Sequence, residues 1–165
     1  MKKRLSFLGA ITLLGTSTTS LVACNNIPQY NEDELQQLKQ KNQIYTNCKE
    51  IKENLEWICP QEKPFNEIDN KYYFIIWRGL KLDEWIVKKY KNFGLDRSNT
   101  LIDKSKSNAE LHRVSHDLHT IANKEYSAWS KDNGTYFKAV YRWNLDTNEP
   151  NLIIDDNGNV KVNGE

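Results

Sequence analysis

Residues 107–134 read SNAELHRVSHDLHTIANKEYSAWSKDNG, and whether this stretch is one helix or several strands decides the fold class. Leu111, Val114, Leu118, Ile121, Ala122, Tyr126 and Trp129 recur at spacings of mostly three and four, which puts them on one stripe of an α-helix. Ser107 followed by Glu110 matches a capping box, and Asn133-Gly134 supplies a stop. The spacing therefore predicts an amphipathic helix here.

Working outward, Asn31 with Glu34 forms another capping-box pattern, and Leu35, Leu38, Tyr45, Cys48, Ile51, Leu55 and Ile58 repeat at helical spacing up to Pro60. These residues predict a long helix over 32–58, bent or broken near Asn47. KYYFIIW, residues 71–77, is aromatic and β-branched on both alternating sets, as in a central strand covered on both faces. Residues 82–93 fit a helix or a strand equally, and residues 95–107 read as loop. In TYFKAVYRW, Phe137, Ala139, Tyr141 and Trp143 alternate on one strand face, and NLIIDDNGNVKV reads as a hairpin around Asn157-Gly158. The expected fold class is α+β: a long N-terminal helix, a second amphipathic helix and a small, mainly antiparallel sheet.

The first 26 residues carry a different message. MKKRLSFLGAITLLGTSTTSLVACNN opens on Lys2, Lys3 and Arg4 and continues with an apolar run from Leu5 to Leu14. About ten apolar residues are half of what a bilayer span needs, so the run reads as a secretion signal. Leu21-Val22-Ala23-Cys24 resembles the bacterial lipobox, and the wider TSTTSLVACNN resembles the leader of mollicute lipoproteins of the spiroplasma type. YRWNLDTNEPNLIIDDNGNV, near the end of the chain, is similar to the C-termini of such lipoproteins. The resemblance implies that Cys24 receives a diacylglycerol, the only covalent group expected, and becomes the first residue of the mature chain. It also implies a cell-membrane location, lipid-anchored on the extracytoplasmic face of a wall-less bacterium. Residues 1–23 are then signal peptide, 24–31 a lipid-attached tether containing Pro28, and 32–165 one domain.

Of 165 residues, 142 remain after that cleavage, enough to bury a core. Losing Lys2, Lys3 and Arg4 leaves 20 cations against 22 acids, a net charge near −2. Nucleic acid is a poor partner for such a chain, because phosphate neutralisation needs clustered cations in excess.

The remaining chemistry is sparse. With Cys24 acylated, Cys48 and Cys59 are left in an oxidising setting; on one continuous helix they would stand about 16 Å apart, so free thiols are expected, and a disulfide between them is the alternative that requires the helix to break. All three histidines fall in HRVSHDLH. His112, His116 and His119 share a face of the expected helix, with Glu110 and Asp117 on the opposite side. An i, i+4 pair can share Zn²⁺, and solvated histidines flanking an apolar stripe are the competing reading. Arg113 occupies the place where a zinc-protease motif needs glutamate. Trp57, Trp77, Trp85, Trp129 and Trp143 each fall on an apolar stripe, so core packing is expected, with a carbohydrate or peptide groove as the alternative. The functional expectation is a non-enzymatic binding module for a host or envelope component. A metal- or solute-binding lipoprotein using the histidine face stands as the first alternative, and a small extracytoplasmic hydrolase or toxin-like enzyme as the second.

Overall fold

The computed structural model describes residues 27–94 and 99–165, so the expected signal peptide, the expected lipobox and Cys24 lie outside the described residues. In chain order it contains helices α1 (Glu32–Lys41) and α2 (Lys49–Asn54). They are followed by strands β1 (Leu55–Trp57), β2 (Tyr72–Trp77), β3 (Ile86–Lys91), β4 (Asn99–Lys104), β5 (Glu110–Val114), β6 (Asp117–Ala122), β7 (Glu125–Ala128), β8 (Phe137–Trp143), β9 (Leu152–Ile154) and β10 (Val160–Val162). Short 3₁₀ turns stand at Pro60–Glu62 and Trp129–Lys131. The protein is mainly β, which corrects the α+β expectation: the strands form three antiparallel sheets, and the two helices are short.

β2 organises the whole. A strand with large apolar side chains on both alternating sets must be covered on both faces to keep that area from water. It lies inside a sheet of order β1-β8-β2-β3, and residues Tyr73 to Trp77 are all buried. One face of this sheet packs Tyr73, Ile75, Trp77, Phe137 and Val140 against Ala109, Leu111 and Leu118 of the second sheet, order β4-β5-β6-β7. The other face packs Leu55, Phe74, Ile76, Ala139, Tyr141 and Trp143 under Ile44 and the β9–β10 hairpin residues Leu152 and Val162. Phe137 does not share a face with Ala139, Tyr141 and Trp143. A bulge where Ile76 pairs Ala139 and Trp77 pairs Phe137 turns its ring to the opposite core.

The stretch 107–134 is not a helix but a meander of β5, β6 and β7. Leu111 and Arg113 in β5 and Leu118 and Thr120 in β6 are the inward residues, so polar side chains occupy core-facing positions and mask the period of two. The turns are disguised as well. Ala122 pairs with Glu125 across Asn123-Lys124, both at positive φ, which is the backbone of a type I′ turn without its usual glycine. Val114 pairs with Asp117 across Ser115-His116, with Ser115 at positive φ.

The long helix over 32–58 is also absent. Asn31 accepts from the Glu34 amide in a true capping box, but α1 ends at Lys41 and no residue of α1 or α2 is buried. Between them Ile44 and Thr46 are buried while Tyr45 is 87% exposed, the alternation of an extended segment. Leu55 is buried as part of β1. The ambiguous region resolves as β3, and β4 occupies part of the expected loop 95–107. Cys48 stands half-buried before α2 and Cys59 is buried before a 3₁₀ turn, both as free thiols.

The chain leaving β2 runs tightly against the β4–β5 turn at Gly79. A Cβ there would lie 2.6 Å from the Ala109 Cβ and 2.6 Å from the Ser105 Oγ. Gly79→Ala is therefore expected to destabilise the fold by about 1–3 kcal/mol, whereas the same change at Gly94 meets no atom of the described residues and strains its positive φ. Urea unfolding of both variants measures the difference; a cost-free Gly79→Ala would mean the two segments do not meet there.

Candidate functional site

The structure pairs two of the three histidines across neighbouring strands and sets the third in the turn that joins them. His112 on β5 and His119 on β6 are cross-strand partners, while His116 lies in the turn between them with its Nδ1 3.4 Å from the Phe65 carbonyl. His112 is held by two oxygens, with Nδ1 2.7 Å from Asn99 Oδ1 and Nε2 2.9 Å from Glu110 Oε2. Glu110 is thus the neighbour of His112 two residues along a strand, not on the far side of a helix. Among the described residues no three histidine, cysteine or carboxylate side chains converge as a metal site would require. The shared helical face disappears with the helix.

The tryptophans divide. Trp77, Trp129 and Trp143 are buried in the two cores, and Trp57 and Trp85 are half-buried at the surface. Trp85, ahead of β3, lies under the Arg78 guanidinium at 4.4 Å and faces Lys138 at 5.8 Å. Cations over an indole face occupy the surface that a ligand would stack on. Trp57 ends β1 and lines a groove of about 340 Å³ between that strand and α1.

The groove is built from an edge and a helix face. Leu55, Glu56 and Trp57 line it in succession, although adjacent strand residues point to opposite faces, so it runs along the strand's margin. β8 pairs with one margin of β1, and β1 ends the sheet. Across from it stand Gln36, Lys39, Gln40 and Gln43. Gln43 donates to the Lys52 carbonyl at 2.9 Å, which helps hold α1 to α2.

An ionic cluster forms the floor. Lys39 bonds both Glu56 and Glu62, the latter at 2.7 Å, and Arg142 donates to Glu56 at 2.8 Å. Burial alone would raise the Glu56 pKa, but the hydrogen bonds and charges of Lys39 and Arg142 more than offset it and hold the carboxyl below its usual range. Burial likewise opposes the Lys39 charge, and its two carboxylate partners hold its pKa above the ordinary lysine value.

Beside this groove the N-terminal segment is docked. The Tyr30 amide donates to Gln61 Oε1 at 2.7 Å, and Gln61 Nε2 donates back to the Tyr30 carbonyl at 3.0 Å. Ile27, Pro28 and Tyr30 share a recess of about 260 Å³ with Trp57 and Trp129.

No family model matches the chain, and no curated protein or solved structure matches it. The chemistry of the site is accordingly argued from its own residues.

Sequence reasoning named Trp57 and the alternative of a peptide or carbohydrate groove, but it buried Trp57 in a helix stripe and missed Gln36, Lys39, Gln40, Glu56 and Asn144. The available signal was the glutamine spacing on α1. The linkage at Glu56 has a defined sign. Its folded pKa lies below its unfolded value, so its contribution is present above about pH 4.5 and is lost as pH falls through the folded pKa. Glu56→Gln is expected to destabilise most at pH 7 and by progressively less as pH falls below about 4.5, as urea midpoints followed across that range will show. A pH-independent difference would mean that the cluster contributes through shape and not charge.

Proposed function

We propose that the protein is a lipid-anchored domain on the extracytoplasmic face of a membrane, acting as a non-enzymatic binding module for a host or envelope component. The anchoring half of this reading rests on the lipobox-like sequence before Cys24. A single acyl chain is a marginal anchor and two are a stable one, at about 0.8 kcal/mol per buried CH₂, so a diacylglyceryl cysteine would hold the domain at the surface.

The binding half rests on one observation: Trp57 stays half-buried on a groove wall, facing Gln36 and Gln40, whose amides make no hydrogen bond among the described residues. Aromatic rings with a few convergent polar groups are what binding sites present. The groove's cations, Lys39 and Lys52, face Glu53 and Glu56 in equal number, so it suits an uncharged ligand.

Radiolabelled palmitate is expected to enter the wild-type protein in a bacterial host that processes lipoproteins, and not to enter Cys24→Ser. Equal labelling of the two would remove the anchor.

A further inference from the structure

Resting on the binding reading above, we infer that the groove beside β1 takes an uncharged, extended peptide segment by strand addition. The pairing of β1 fixes which main-chain groups are free. The Asn144 amide donates to the Asn54 carbonyl and the Ile58 amide to the Val140 carbonyl, both at 2.9 Å, in a register where Glu56 faces Arg142. Residues 54, 56 and 58 therefore bond toward β8. Leu55 and Trp57 turn their main-chain groups to the open margin. The Leu55 amide is taken by the Ile51 carbonyl at the end of α2. Among the described residues this leaves the Leu55 carbonyl and both main-chain groups of Trp57 without partners at the groove, the open edge that an incoming strand recognises.

The opposite wall fits the second margin of such a strand. Gln36 and Gln40 are four residues apart on α1, an axial rise of about 6 Å, and a strand repeats its main-chain groups every two residues, about 6.7 Å. Each carboxamide supplies both a donor and an acceptor, as a peptide margin requires. The Trp57 ring gives one side chain an apolar seat, and the balanced floor of Lys39 and Glu56 disfavours a charged one. Nothing in a sugar calls for two walls of matching period.

The test uses the full-length protein and a library of uncharged six-residue peptides, acetylated and amidated, rich in Val, Thr, Asn and Gln, with neutral oligosaccharides as a parallel set. Binding of a selected peptide is expected to slow exchange of the Trp57 amide at least about tenfold, since that hydrogen becomes part of a ladder. N-methylation of the peptide at the alternate residues that face β1 should weaken binding about tenfold in the wild type and in a Gln36→Ala, Gln40→Ala variant alike, whereas N-methylation at the intervening ones should weaken it only while Gln36 and Gln40 are present. Gln36→Ala combined with Gln40→Ala, both on the exposed face of α1, should weaken it about tenfold while the thermal midpoint stays put. Indifference to N-methylation overturns strand addition, as does movement of groove resonances by oligosaccharides alone, and either leaves the binding reading standing. Groove resonances unmoved by both sets overturn the two together.

Discussion

Burial of both faces of β2 is the constraint from which the rest follows. Tyr73, Phe74, Ile75, Ile76 and Trp77 are five consecutive large residues at or near zero exposure, and alternation sends them into two separate cores. At about 25 cal/mol per Å² their apolar area is worth several kcal/mol, which requires a full layer on each side. The second sheet supplies one layer. The β9–β10 hairpin and the segment around Ile44 supply the other. The Asp103 carboxylate locks the first interface by accepting from the Trp77 indole at 3.2 Å and pairing with Lys88 at 3.1 Å.

The two outer margins of the central sheet are finished differently. β3 carries Lys88, Lys89 and Lys91, and Lys89 pairs with Glu149 at 2.7 Å; charged edges of this kind discourage further pairing. β1 is only three residues long and has α1 standing off its side, so its edge is shielded from indiscriminate contact yet open through a groove. The sheet thus has one margin closed by charge and one left accessible between walls.

How much of this could be read from residues alone depends on where polar side chains sit. KYYFIIW announces a doubly covered strand because nothing in it is polar after Lys71, and the Asn157-Gly158 turn announces its hairpin because glycine is present. The β5–β7 meander hides for the converse reasons. Arg113 and Thr120 are buried, the Arg113 Nη2 donating to the Phe65 carbonyl at 3.2 Å, and Asn123-Lys124 turns without glycine. Leu111, Val114, Leu118 and Ile121 then satisfy a helical period by coincidence of two hairpin repeats. The same coincidence across α1, α2 and β1 concealed the groove, because its walls come from segments that the pattern joined into one rod. Cys24 and the leader-like stretch before it fall outside the described residues.

The paired amides of Tyr30 and Gln61 bear on how the domain is carried. A string attached to a ball lets the ball swivel; a string clipped to the surface near its exit does not. Ile27 lies in the recess beside Trp57, so on the proposed anchor at Cys24 a pull transmitted along the chain reaches the domain next to the groove and not at the far pole. Any surface that grips that thiol would also set the compass bearing of the binding cleft.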